Sequence, residues 1–278
     1  MISLVALQCR TSDRTPGGGR GARALADEFG MRLGIEARVI GSPAEPREAP
    51  FAADLIDSRG CLLEAGGQVD DAMARSDFPL LLASDCSICM TTLPSVLRHH
   101  PEARVLWLDA HGDFNTPETT PSGFLGGMCL AAACGRWETG LLPEETSAAL
   151  DPARVTLCGV RDLDPGERVG LELAGVPAVA RPSEVADLVR GMPVYVHLDL
   201  DVLDPGIFPA QFPVAHGLSR AGLRTLLAEV ARATTVVGAE ITAFEAPEDD
   251  AERHVAASTV MHVLEPLLDA IPEEAHVD

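Results

Sequence analysis

The sequence predicts an α/β fold in which a parallel sheet is covered by helices on both faces. Two observations carry this expectation. Six short apolar runs lack the polar alternation of a half-exposed strand, and helix-like stretches lie between them. A third observation concerns function: residues suited to metal or proton chemistry gather where these runs stop, and parallel sheets bind ligands at the carboxyl ends of their strands.

In chain order, ISLVAL near residue 2 reads as the first buried strand and GARALADEFGMRLG as the helix that follows. PLLLA near 79 is a second strand, followed by the helical TLPSVLRHHP. RVLWLDA near 104, RVTLCGV near 154 and PVYVHLDL near 193 continue the series. SRAGLRTLLAEVARA has helical periodicity, TVVGAEITAF near 235 is the sixth strand, and AERHVAASTVMHVLEPLLDAI closes the chain as a helix. No internal repeat interrupts the pattern, and 278 residues suit one large domain spanning 1–278. The stretch TPGGGRGARALAD places Gly17, Gly19 and Ala22 at dinucleotide-fingerprint spacing. The gap from the first strand is long, however, and no acidic residue ends the following IEARVIG, so a flexible loop capping a helix is expected.

Composition narrows the function classes. With 46% hydrophobic and 23% charged residues the chain has the make-up of a soluble globular protein. A net charge of -21 repels phosphate backbones and anionic headgroups, which argues against nucleic-acid and membrane partners, while a cationic substrate or metal would be attracted. Excess acid also simply keeps a protein soluble. MISLVALQ has no basic region before it, and no apolar run reaches membrane-spanning length, so a cytoplasmic protein is expected. The seven cysteines, scattered from Cys9 to Cys158, are expected to be thiols, most of them small buried hydrophobes. The chain contains no lysine, which excludes Schiff-base chemistry, a Walker A loop and a pyridoxal phosphate anchor.

Two segments carry the candidate chemistry. LDAHGDFNTP sets Asp109, His111 and Asp113 at alternate positions, and VHLDLDVLDP does the same with His197, Asp199 and Asp201. Period-two spacing at a strand end points each set one way. A lone Asp there is often a helix cap, but two such sets together are hard to reconcile with capping alone. Four aspartates packed together without a cation would be costly, and two divalent ions resolve the repulsion. Water held between such ions loses its proton near neutral pH, and an oxygen-rich donor set suits manganese. ASDCSICM adds Cys86 and Cys89, whose spacing fits a redox pair, half a zinc site or two core residues.

DAHGDFNTP, HLDLDVLDP and GVRDLDPGE resemble, in order, the signature segments of the arginase, agmatinase and formiminoglutamase superfamily, the ureohydrolases. The resemblance covers most of the chain. It implies a three-layer α/β/α sandwich with a mainly parallel sheet, two Mn2+ per chain, and hydrolysis of a guanidino C–N bond in a small cationic substrate. It also leaves room for a homo-oligomer, since family members often form trimers or hexamers. ASDCSIC falls on a family segment that supplies a histidine to the more exposed metal, so the resemblance makes Cys86 a ligand and leaves Cys89 in the core. Thiolate is soft, so another divalent metal is open at the Cys86 site. Residue by residue, Asp109 and Asp199 become bridging ligands, Asp113 and Cys86 complete one metal, and His111 and Asp201 complete the other. Asp113 is the implied catalytic residue, hydrogen-bonded to the nucleophile and passing its proton to the leaving amine. Asn115 and Ser122 match the loop that holds the amino-acid end of the substrate.

Two departures bear on substrate. Gly126 stands where arginases carry a loop histidine, and Ala243 stands where they carry a guanidinium-pairing glutamate, with Glu245 expected to replace it, or Glu240 if the strand bends. Cys86, Gly126 and the string HGDFNTPETT followed by LGGM together resemble a narrower branch, from which Ala243 departs and whose implied activity is hydrolysis of Nω-hydroxy-L-arginine to hydroxyurea and L-ornithine in D-cycloserine biosynthesis. The competing readings are hydrolysis of arginine, agmatine or another guanidino acid, a non-catalytic binding protein on the same fold, and a CxxC redox protein.

Overall fold

Strands that must be buried on both faces need helices above and below them, and the computed structural model, which describes residues 1–143 and 148–271, supplies both layers. β1 (Ile2–Leu7), β2 (Arg38–Ile40), β3 (Phe78–Leu82), β4 (Arg104–Leu108), β5 (Val155–Cys158), β6 (Val194–Asp199) and β7 (Val236–Thr242) form a seven-stranded sheet in the order β2-β1-β3-β7-β6-β4-β5. Every pairing is parallel.

The helices are α1 (Gly18–Leu33), α2 (Phe51–Asp57), α3 (Arg59–Ala74), α4 (Cys89–His99), α5 (Cys129–Ala133), α6 (Pro165–Ala174), α7 (Pro182–Val189), α8 (Arg220–Ala233) and α9 (Asp250–Leu268). Leu25 of α1, Val185 of α7, Leu227 of α8 and Val260 of α9 share one core with Leu80 and Val196 of the sheet. Leu62 of α3, Leu93 of α4 and Leu130 of α5 share the other with Leu81 and Trp107. The expected three-layer sandwich is therefore present. Helix boundaries have local causes: Gly34 ends α1 in the left-handed region (φ 66), and Asp249 caps α9 by accepting from the amides of Ala251 and Glu252.

All six expected strands and all four expected helices form. The short edge strand β2 and the helices α2, α3, α5, α6 and α7 were not anticipated. In α3 the reason is visible: Gly66 and Gly67 weaken helix propensity, but a Cβ on Gly66 would come within 2.8 Å of the Thr91 carbonyl oxygen of α4. Close approach of two helices selects glycine there.

Two expectations need correction. The glycine run does cap a helix, with Gly17 at the N-cap of α1, but it is not a flexible loop beyond that point: Gly18 already opens α1 and packs against Gln211 and Asp13, and a Cβ on Gly21 would overlap the Phe244 carbonyl oxygen. The cysteines are not all thiols either, because Cys9 and Cys61 form a disulfide with their Cα atoms 6.0 Å apart. The end of β1 and the start of α3 bring them together across 52 residues, a proximity that spacing in the chain does not reveal. The other five cysteines are free and buried. Among the described residues no helix is long and apolar enough to cross a membrane.

The contact at Gly21 is testable. Gly21→Ala should lower unfolding stability by about 1–3 kcal/mol through overpacking, whereas Gly60→Ala in α3, which meets nothing within 4 Å, should not destabilise. Equal urea midpoints for the two variants would disprove the close approach.

Candidate metal centre

The register of the sheet assembles the site. Leu108 of β4 pairs with Leu198 of β6, Leu198 with Ile241 of β7, and Leu82 of β3 also with Ile241, so four central strands end at one level. One step further along, Asp109, Asp199 and Thr242 emerge together, and Asp199 and Thr242 are themselves register partners. β3 and β4, consecutive in sequence, stand on opposite sides of β7 and β6, which places the crevice where open α/β sheets hold ligands.

Asp109, Asp199 and Asp201 each use Oδ1 to fix a backbone amide. Asp199 Oδ1 accepts from the Asp201 amide at 2.8 Å, so the capping reading of this residue is also correct. Asp201 Oδ1 accepts from the Ala110 amide at 2.9 Å, and Asp109 Oδ1 from the His111 amide at 2.6 Å. His111 Nδ1 lies 2.9 Å from Asp201 Oδ2 and 3.5 Å from Asp109 Oδ1. Cys86 donates from Sγ to Asp199 Oδ2 at 2.9 Å. The turn that presents Cys86 is held by Asp85, which accepts from Ser87 N on one oxygen and from Thr11 Oγ1 and Ser12 N on the other. Asp113 sits in the left-handed region at φ 48, strain that an aspartate tolerates, and its carbonyl accepts from the amides of Leu130 and Ala131.

The electrostatics match this crowding. Burial, then the charge of Asp201, pushes Asp199 up to about 8, and burial, then Asp109, pushes Asp201 up to about 6. Burial and the charge of Asp109 raise Asp113 as well. Burial opposes the charge of His111, but hydrogen bonds to Asp109 and Asp201 outweigh it and hold the imidazole up to about 12. Cys86 is raised by burial and by Asp199, Asp113 and Asp109. Such a cluster suits a divalent cation. Two sets of donor atoms, from Cys86, Asp109 and His197 and from Asp109, His111 and Asp201, each lie within 4.8 Å of one another, with Asp109 common to both.

Sequence reasoning singled out His197 but gave it no role. Its Nδ1 lies 2.7 Å from Glu240 Oε1 and its Nε2 3.2 Å from Cys86 Sγ, while the ring stacks on Trp107 at 3.6 Å. Glu240 also accepts from Tyr195 and Thr92, and Trp107 donates to Asp109 Oδ2. The signal in the sequence was a histidine two residues before Asp199, hence on the same strand face.

The neighbouring cleft, about 210 Å³, is lined by His111, Asp113, Asn115 and Ser122 together with Asp164 and Glu167. A larger cavity of about 430 Å³ beside Arg10 and Asp13 shares none of these residues. Asn115 donates to Asp164 at 3.0 Å. Glu167 accepts from the Phe114 amide at 2.8 Å and closes the capping box of α6, and burial pushes it up to about 7. Asp164 and Glu167 were missed, although the DPGE string carries the capping-box spacing.

The glutamate substitution is corrected by the structure. Glu245 spends one oxygen on the Gly17 amide and the other on Thr15, at the entry to α1. Glu240 is fully buried and engaged by His197, Tyr195 and Thr92. Ala243, at φ 63, follows the last residue of β7. A side chain at Gly126 would meet the Phe124 ring, with Cβ 2.6 Å from its Cε1. Cys86 and Cys89 are separate thiols, and burial pushes Cys89 up to about 11, the opposite of a reactive redox thiol.

A family model described as the arginase family matches residues 50–265. The chain is 36% identical to an Nω-hydroxy-L-arginine amidinohydrolase of Streptomyces lavendulae over 97% of this chain and 98% of that one. It is 35% identical to an arginase of Bacillus caldovelox over 70% of each. Among solved structures, an arginase from Bacillus subtilis superposes with a TM-score of 0.82 at 26% identity, covering 99% of this chain and 100% of that one.

A carboxyl whose pKa is raised by folding stabilises the fold while protonated, and that contribution is lost as the pH rises through its folded value. The metal-free protein should therefore lose melting temperature as the pH rises from the ordinary aspartate value of 3.8, Asp201's share being complete near 6 and Asp199's near 8. Added Mn2+ should raise the melting temperature more at pH 8 than at pH 6. Melts in chelator and in metal that show no such difference would count against a cation site.

Proposed function

Because the chain belongs to the arginase family, we propose that it is a manganese-dependent amidinohydrolase that converts Nω-hydroxy-L-arginine to hydroxyurea and L-ornithine. The family implies a binuclear divalent-metal site, and the donors present here fit one. Asp109 and Asp199 would bridge the two ions, Cys86 and Asp113 would complete one, and His111 and Asp201 the other. Bound there, the ions would supply Lewis acidity and activate water for attack on the guanidino carbon.

The chain's own groups do the rest. Asp113, buried beside the cleft, holds a proton at its carboxyl and delivers it to the departing amine. Asn115 and Ser122 receive the amino-acid end, and the acidic pair Asp164 and Glu167 in the same cleft favours its ammonium. Glu245 has no part in this reading.

One observation carries the choice of substrate: β7 is followed by Ala243, and the two neighbouring glutamates are committed elsewhere. A strongly basic guanidinium is left without that carboxylate, whereas the less basic hydroxyguanidine is available in its neutral form and depends on it less. Similarity to the Streptomyces lavendulae enzyme supports the same substrate, while a place in D-cycloserine biosynthesis and in the cytoplasm is carried over from the sequence reading. With manganese saturating, kcat/KM for Nω-hydroxy-L-arginine should exceed that for L-arginine by at least about tenfold, roughly 1.4 kcal/mol of transition-state preference. Equal or reversed values would make the protein a plain arginase or assign it another guanidino substrate.

The ligand assignments are open to metal analysis. Asp109→Ala and Asp199→Ala should each abolish hydrolysis and leave one ion or none, and two retained ions in either variant would disprove bridging. Cys86→His should shift metal preference toward manganese and speed arginine hydrolysis. Unchanged metal content, preference and rates would remove Cys86 from the ligand set.

A further inference from the structure

His197 lies outside the ligand set that the family resemblance carries over, yet it stands at the metal centre. It is fully buried on β6, two residues before Asp199, and its Nε2 lies 3.2 Å from Cys86 Sγ. Ligand atoms of His197, Cys86 and Asp109 all lie within 4.8 Å of one another.

The surroundings of the ring prepare Nε2 to donate to a cation. Nδ1 lies 2.7 Å from Glu240 Oε1, and because an ionised carboxylate only accepts, the ring proton belongs on Nδ1 and the lone pair on Nε2. Glu240 is held in turn, since its Oε2 accepts from Thr92 Oγ1 at 2.6 Å and from Tyr195 Oη at 3.0 Å. Trp107 fixes the plane of the ring by stacking on it at 3.6 Å with an interplanar angle of 6°, and its Nε1 donates to Asp109 Oδ2 at 3.1 Å. A carboxylate behind one ring nitrogen is the arrangement that orients histidines on metals and raises their basicity. On the other side, Cys86 has a single proton, and Asp199 Oδ2 takes it at 2.9 Å. The Nε2 lone pair then faces a sulfur with nothing left to donate, a conflict that a shared cation removes.

We infer that His197 is itself a metal ligand: its Nε2 and Cys86 Sγ hold one divalent ion together, with Asp109 reaching the same ion. The imidazole missing at position 86 is thereby supplied from β6, and a nitrogen beside a thiolate moves the preference of that ion from manganese toward zinc or iron. The inference rests on the binuclear centre proposed above and adds a donor to it.

The test is NMR of the enzyme labelled with 15N in its histidine rings and saturated with Co2+, which displaces the resonances of ligating imidazoles far outside their ordinary range. His111 and His197 should both be displaced in the wild type. His197→Asn, whose amide can still donate to Glu240 but has no nitrogen at the Nε2 position, should keep one displaced ring and bind one Co2+ more weakly by about tenfold or more in calorimetry. Melting temperatures in chelator show whether the variant folds, and the wild-type spectrum decides by itself if it does not. A wild type with only one displaced ring, or a variant that keeps both, overturns the inference, reduces His197 to a hydrogen-bonding brace for Cys86 and leaves the hydrolase reading intact. A wild type that binds no divalent ion overturns the metal centre and the inference with it.

Discussion

Mutual repulsion among buried carboxylates is the constraint around which this molecule is arranged. Asp109, Asp113, Asp199 and Asp201 are all nearly inaccessible and converge at the carboxyl ends of β4 and β6. In a medium of low polarity such charges must be protonated, paired or neutralised by cations. The surrounding architecture limits that cost in part: backbone amides of Ala110, His111 and Asp201 each donate to one of the carboxylates. Both halves of the scaffold serve this arrangement, since the sheet fixes the level at which the aspartates emerge and the loops supply the amides that hold them.

The region around Cys86 shows how far the contacts of one side chain reach into its surroundings. The sulfur does not stand alone: it contacts Asp199, Thr242 and His197, and His197 is in turn braced by Glu240 and by stacking on Trp107. Glu240 therefore belongs to the interior support of the site rather than to its substrate face. On the cleft side, Gly126 and Phe124 form a similar coupled pair, in which the missing side chain and the packed ring fill one space.

The order of elements, the parallel sheet and both aspartate–histidine segments were legible in the sequence because each rests on local information. An apolar run marks a strand, and alternation at its end sets which side chains share a face, whatever lies elsewhere in the chain. The glycine-bearing helix α3, the short edge strand β2, the Cys9–Cys61 disulfide and the fate of Glu245 were not legible in that way. Each depends on a partner far away in the chain: Thr91 against Gly66, β1 beside α3, the Gly17 amide beside Glu245. The sequence by itself thus determined which residue types stand at the strand ends and what chemistry they suit. Only the tertiary structure decided which carboxylates face the cleft and which are consumed as internal supports, because that choice depends on long-range packing rather than on the order of residues.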